Sequence, residues 1–353
     1  MRRFVPKWTA LPLVGVVAAV TVAGAGGALR THRANVQVCV LLPETKTSVR
    51  WVQFDAPDFA KALKAAGVTY SITNALGDPH RQKAQADACL AAGAKVVVET
   101  AIDPGSAAAI EKEFTSRGGK AIDYDRQVPG GPASAYVTFD GNAVGRAQAN
   151  GILAALKAEG KYGKKPVVAE LWGGATDQNA FWFKSGNDDV LNPLFANGTL
   201  VKGPQQFVPG WLANNAATIF QQMLVKTNNK IDAAIAANDN IAGAVIAQLQ
   251  AKHLPPIPLS GQDATAQGVQ YIISGWQTGT VYKYVPDEAK AAADAAVALL
   301  HGQKPKTNQV RKGEPTIALP VVWITKANYK RLFTDQFLKR SEVCVGKFAR
   351  YCK

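Results

Sequence analysis

From Val36 onward the chain alternates between short runs rich in β-branched residues and Ala-rich stretches of helical period. "VQVCVLL" gives way to "DAPDFAKALKAAG", "VTYSIT" to "RQKAQADACLAAG", and "KVVVET" to "SAAAIEKEFTSRG"; "KAIDY" and "AYVTF" follow. A second series starts after "AVGRAQANGILAALKAEG", with the strands "PVVAELW", "LVKGPQQF", "IDAAIA" and "IPLS" and helices near 179–196, 213–227, 241–253 and 264–274. "GTVYKY" and one more helix, 286–302, close the pattern. Repeated β-α-β units require parallel sheets covered on both faces. Gly67, Gly93 and Gly118 stand where helices must end and the chain reverses. The 353 residues fit two domains. Each series is too short for an eight-unit barrel, so two doubly wound α/β lobes are expected.

Residues 1–35 are set apart. Arg2, Arg3 and Lys7 precede "WTALPLVGVVAAVTVAGAGGAL", 22 residues without a charge, which is the pattern of an export signal. The run is long enough to serve instead as a retained anchor helix. The net charge of +14 lies at the ends: residues 1–35 contribute +5, residues 301–353 contribute +9, and the 23 basic and 23 acidic residues of 36–300 cancel. A nucleic-acid binder would carry its basic face on the working domain, so none is expected as partner. The basic run "KANYKRLFTDQFLKRSEVCVGKFARYCK" reads as a solvated tail, or as a surface for an acidic membrane or wall polymer. The four cysteines leave two readings. Cys344 with Cys352 forms a local clip and Cys39 with Cys89 a second bridge, or Cys39 and Cys89 are buried free thiols. None of the spacings is that of a zinc site, and the four histidines are isolated, so no metal or cofactor is expected.

In open parallel sheets ligands bind beyond the carboxyl ends of the strands. At those exits this chain places polar groups: Arg50 and Trp51 after the first strand, Asp125 and Arg126 after "KAIDY", Asp177 and Asn179 after "PVVAELW", Asn238 and Asp239 after "IDAAIA", Asp263 after "IPLS", and Lys283 after "GTVY". Asn and Asp also serve as helix N-caps, and Asp239 reads as one. Arg and Lys do not cap N-termini, so capping cannot explain the set. Planar carboxylate, amide and guanidinium groups bridge vicinal hydroxyls with paired hydrogen bonds, which suits a polyhydroxylated neutral ligand. Trp51, and Trp211 in "VPGWLANNA", can cover the C–H face of a sugar ring; Trp182 and Trp323 read as packing. The chain has no G-x-x-x-x-G-K-[ST] loop, G-x-S-x-G elbow or H-E-x-x-H motif. Asp125 and Asp263 could pair as in a glycosidase, but the adjacent Arg126 favours an ionised Asp125.

The stretches "VRWVQFD", "DYDR", "YVTFDGNAVGRAQA", "GGATDQNA", "PGW", "NNKIDAAIAANDNIAGAVI" and "SGQDATAQGVQYIISGWQTGTVYK" resemble periplasmic sugar-binding proteins of the ribose/galactose type, in family order over about residues 36–300, and look most like the D-xylose-binding branch that serves ABC importers. The family usually reads Asp-Asn-Asn where this chain has Asp177-Gln178-Asn179, and the two-cysteine C-terminal extension is not general to it. The resemblance implies the type I periplasmic binding protein fold: two lobes, a three-segment hinge and a monosaccharide clamped between them. It implies a ligand set of Arg50, Trp51, Asp125 and Arg126 from the first lobe and Asn179, Trp211, Asn238 and Asp263 from the second, with Lys283 near the hinge. The expected layout is an export segment or anchor at 1–35, a first lobe of 36–141 and 284–315, a second of 142–283 and 316–340, and a basic tail at 341–353. The expected function is an exported, monomeric, non-catalytic protein, periplasmic or held at the cell surface. It would bind D-xylose or a similar aldose and pass it to a membrane ABC permease. The competing readings are a sugar-sensing transcriptional regulator of the same fold and an exported carbohydrate-active enzyme.

Overall fold

A computed structural model describes residues 35–46, 48 and 50–352. The expected export segment falls on residues outside this range.

The first series of β-α units builds one seven-stranded sheet. Its strands are β1 (Val38–Leu42), β2 (Tyr70–Asn74), β3 (Val96–Glu99), β4 (Lys120–Tyr124), β5 (Ala135–Phe139) and, from far along the chain, β10 (Gln309–Arg311) and β11 (Glu314–Leu319). The order is β10-β11-β5-β4-β3-β1-β2, parallel throughout apart from the β10–β11 hairpin. Alternation along β1 divides the core. Val38, Val40 and Leu42 face α1 (Ala56–Ala65) and α9 (Val285–Leu300). Cys39 and Leu41 face α2 (Pro79–Ala91) and α3 (Pro104–Ser116). Cys39 therefore points at α2, where Cys89 bonds to it across a separation of 50 residues. Gly67, Gly93 and Gly118 take φ of 68°, 92° and 76°, the left-handed turns expected of them.

The second series builds a three-stranded parallel sheet, β7 (Val201–Phe207), β6 (Val167–Trp172) and β8 (Ala233–Ala236), in the order β7-β6-β8. Pro204 is accommodated because β7 is an edge strand. Val168, Ala233 and Ile235 pack on α4 (Gly141–Ala158) and α5 (Gln178–Ala196). Ala169, Leu171, Ala234 and Ala236 pack on α6 (Ala213–Lys226) and α7 (Asp239–Ala251). Beyond β8 the expected strand "IPLS" is reduced to a single bridge at Leu259. Pro256 and Pro258 flank Ile257 there, and neither has an N–H to give a ladder. The segment still knits β8 to β9 (Gly279–Tyr282) through Ala234 N–H to Pro258 O and Val281 N–H to Gly261 O. The helix α8 (Ala266–Ser274) follows it, and β9 pairs antiparallel with β12 (Val322–Thr325).

The chain passes between the two halves three times: from β5 into α4, from β9 into α9, and from β11 into β12. Sequence reasoning put residues 316 onward with the second half. Thr316 to Leu319 instead pair with β5, so the third passage follows Leu319. The basic C-terminal run, read as a solvated tail, is packed. Tyr329, Leu332, Phe337, Leu338, Val343 and Cys352 are buried with Val269, Ile273 and Tyr282, and Cys344 is bonded to Cys352. Its charges face outward while its apolar residues, spaced among them, face in. The helices α10 (Arg331–Thr334) and α11 (Arg340–Val343) lie in this run.

Away from the interface, four carboxylates crowd the first half. Glu99 and Asp123 are register partners on β3 and β4, and Glu111 and Glu314 approach from α3 and β11. Val128 N–H donates to Asp123 Oδ2 at 2.5 Å and Gln127 Nε2 donates to Glu314 Oε2 at 3.0 Å. Burial pushes all four pKa values up, Glu111 to about 7 and Glu314 to about 8.

Candidate functional site

The strand exits of the two halves face each other across one cavity. It is lined by Arg50, Trp51, Asp125, Arg126, Asn179, Trp211, Asn238, Asp263 and Lys283, so all nine residues expected from sequence meet in one place. Ser48, Asp177, Phe183 and Gln262 complete the wall.

Arg50 and Trp51, expected after the first strand, do not lie in an irregular loop there. They open a π-helical turn, Trp51–Asp55, that runs straight into α1. This turn seats Arg50 at the centre of a buried ion cluster. Its Nε and Nη2 donate to Asp55 at 3.0 and 2.8 Å, Nη1 donates to Asp125 Oδ1 at 2.8 Å, and Nη2 donates to Glu288 at 2.5 Å. Trp51 is 2% exposed, and its ring carries the Arg50 guanidinium at 4.5 Å and that of Arg126 at 5.6 Å. Its indole N–H donates to Glu44. Trp51 is thus a platform for the two arginines, and Trp211 and Phe183, edge to face at 6.3 Å, line the same cavity.

Asp125 holds φ of 61°, and its carbonyl accepts from Tyr136 Oη, Thr138 Oγ1 and, across the cleft, Asn179 Nδ2 at 2.6 Å. Burial raises its pKa, but Arg50, Lys283 and Arg126 outweigh that and hold it below the usual carboxylate range. Lys283 Nζ sits 3.2 Å from Asp263 Oδ1 and 3.9 Å from Asp125 Oδ1, bridging the halves. Arg126 Nε lies 3.3 Å from Asp177, whose carboxylate also caps α5 through Asn179 N–H. The lining thus sets three cations, Arg50, Arg126 and Lys283, against three carboxylates, Asp125, Asp177 and Asp263.

Three lining residues that are not glycine occupy left-handed backbone: Asp125, Trp211 at φ 60° and Asp263 at φ 91°. Such conformations persist only where the surroundings enforce them, and they concentrate at functional sites. For Trp211 the enforcement is visible. The indole lies against Gly173 so closely that a Cβ there would stand 2.0 Å from the ring. A Gly173→Ala substitution is expected to displace Trp211 and weaken ligand binding by at least about tenfold with a smaller change in melting temperature; calorimetry and thermal denaturation of the variant check this. Among the described residues, Trp211 Nε1 and Gln262 Oε1 are buried without a hydrogen-bond partner. Unpaired buried polar groups are costly unless a ligand engages them.

Of the adjacent pair Asn238-Asp239, the N-cap is Asn238, whose Oδ1 accepts from Ile241 N–H at 2.9 Å and leaves its amide donors for the cavity. Asp239, expected to be the cap, instead turns inward. Its carboxylate accepts from Thr265 N–H and Gln277 Nε2 at 2.8 Å each and ties the Asp263 loop to α7. Burial raises its pKa to about 7. Ser48, Phe183 and Gln262 were missed. Phe183 sits four residues past Asn179 and so shares its helix face, a spacing that could have suggested it. Among the described residues no cluster of His, Cys, Asp and Glu has the arrangement of a metal site.

Residues 39–304 match the family described as periplasmic binding protein domain. The chain belongs to that family. This periplasmic binding protein is 33% identical over 319 residues to the D-xylose-binding periplasmic protein of Escherichia coli, covering 88% of this chain and 94% of that one. It is 32% identical over 314 residues to a multiple sugar-binding periplasmic receptor of Rhizobium radiobacter, covering 82% and 87%. Among solved structures it is similar to a carbohydrate transporter solute binding protein from Chloroflexus aurantiacus in complex with D-glucose. That match has a TM-score of 0.78 and 29% identity, and covers 87% of this chain and 98% of the other. The α/β architecture with parallel sheets is that of type I periplasmic binding proteins. No helix among the described residues of this periplasmic binding protein is long and apolar enough to cross a membrane.

Proposed function

We propose that the protein is an exported solute-binding protein that closes on a free monosaccharide, D-xylose or a similar aldose, and delivers it to a membrane ABC permease. The observation that carries this reading is the composition of the cavity: balanced charges and amide groups from both halves, with Trp211 and Phe183 as the aromatic wall. Three cations facing three carboxylates leave no net charge for an anionic ligand to neutralise, while each planar ionic group can engage two neighbouring hydroxyls. The D-xylose-binding and multiple sugar-binding names of the relatives point to the same ligand class. All nine residues expected from sequence take part in the proposed site, Arg50 and Trp51 chiefly by positioning Asp125 and Arg126. The reading includes no catalysis: Asp125, held ionised by Arg50, Lys283 and Arg126, has no proton to donate to a leaving group.

Isothermal calorimetry against a panel of pentoses and hexoses tests the proposal. Saturable binding of D-xylose or another aldose at micromolar or lower concentration is expected, about −8 kcal/mol or more favourable. No heat with any sugar of the panel would overturn it. Asp263→Ala is expected to weaken binding by at least about tenfold, because Lys283 loses its 3.2 Å partner and the sugar loses an acceptor. An unchanged affinity would remove Asp263 from the site.

A further inference from the structure

The C-terminal run is built onto the second half but reaches the first. Its base is anchored on α8, where Gln270 Nε2 donates to the carbonyls of Glu342 and Val343 at 3.1 and 3.3 Å. The Cys344–Cys352 bond and a hydrogen bond from Arg340 Nη2 to Cys352 O at 3.0 Å fold the end of the chain back on this base. From there Phe337 extends over the interface and lies flat on Phe54, with ring centroids 4.4 Å apart and planes 12° apart. Phe54 belongs to the turn Trp51–Asp55, the turn that seats Arg50 and Trp51. On its other side Phe337 meets Tyr282 edge to face at 4.8 Å, one residue before Lys283. Phe337 also lines a second cavity, which shares Ser48, Arg50 and Asp263 with the wall of the candidate site.

We infer that the C-terminal segment 326–352 is a strap that holds the two halves shut, with the Phe54–Phe337 stack as its clasp and the Cys344–Cys352 bond as its stiffener. Phe54 moves with the first half and Phe337 with the second, so any rotation that widens the cleft must slide or part the two rings. The stack therefore belongs to the closed state alone and biases the equilibrium toward it. An aromatic pair of this kind shifts a two-state population by roughly 2- to 10-fold. Phe337 acts as a positioning residue: by pressing on the turn and on Tyr282 it fixes Arg50 and Lys283 from behind. The inference concerns closure itself. Its consequence for affinity rests on the sugar-binding reading above.

The test is small-angle X-ray scattering of the ligand-free protein together with D-xylose binding and release kinetics. It compares wild type, Phe54→Ala, Phe337→Leu, the double variant and a C344S/C352S pair. Phe54 is only partly buried, so Phe54→Ala is the variant expected to keep its melting temperature. The expected result is a larger radius of gyration for ligand-free Phe54→Ala and for the cysteine pair. D-Xylose dissociation is expected to be roughly 2- to 10-fold faster, and the double variant no worse than the stronger single one. A ligand-free scattering curve identical to wild type in both Phe54→Ala and Phe337→Leu would overturn the strap. If wild type binds no sugar the ligand reading falls, and the scattering comparison still decides the strap.

Discussion

An Arg50→Ala variant is expected to lose about 3–5 kcal/mol of folding stability, the range seen when one partner of a buried ion cluster is removed. The guanidinium is almost completely buried and donates to Asp55, Asp125 and Glu288, so its removal strands three carboxylates at once. Burial already raises the Glu288 pKa to about 8 with Arg50 in place, and without it the cluster must take up protons or admit water. Arg50→Lys is expected to recover only part of the loss, since a point charge cannot meet three carboxylates held in a fork geometry. Chemical denaturation of the two variants measures this. A loss below about 1 kcal/mol for Arg50→Ala would show that the cluster is not what holds the turn at Trp51–Asp55 in place. Asp125, a carboxylate of the proposed site, is oriented by this cluster, so on the sugar-binding proposal affinity is expected to fall along with stability.

The carboxylates Glu99, Glu111, Asp123 and Glu314 lead to the second large effect. Burial raises all four pKa values, so the folded protein binds more protons than the unfolded chain wherever the pH lies between their unfolded and folded values. Their stabilising contribution is complete below about pH 4 and is lost as pH rises through the folded values, which for Glu111 is about 7. Stability is therefore expected to fall as pH rises from about 5 to 8, by roughly 2 kcal/mol or more from the cluster. Glu111→Gln, which keeps the shape of the neutral acid, is expected to flatten the curve. Denaturant melts at pH 5, 6, 7 and 8 on both proteins check the sign. A wild-type stability that climbs over this interval would refute the account.

The sequence carried the parts of the site that local rules control. Arg126, Asn179, Asn238, Asp263 and Lys283 each follow an apolar run ending at a sheet edge, and a parallel sheet sends all such ends to one side. The ion cluster around Arg50 was hidden because its members are separated by as many as 238 residues, and no local pattern announces a meeting of that kind. Asp239 could not be told from Asn238 as the cap, since both residue types cap equally well and the partners that turn Asp239 inward, Thr265 N–H and Gln277 Nε2, lie 26 and 38 residues away. Strands β10, β11 and β12 were not expected. They are three to six residues long, and β11 and β12 pair with strands earlier in the chain, β5 and β9, which no local pattern announces. The packed end of the chain was misread for a related reason: its charges are frequent, and the apolar residues between them gain meaning only once Val269, Ile273 and Tyr282 present a surface to cover.

The three passages between the halves run side by side, with Asp140 N–H donating to Leu319 O at 2.9 Å to bind two of them together. Three parallel tethers resist twisting and sliding far more than they resist bending about the line that joins them. The opening expected of the two halves is therefore a rotation of fixed direction. A substitution at Asp140, Tyr284 or Pro320 should change how far and how often the mouth gapes without altering which groups meet when it shuts.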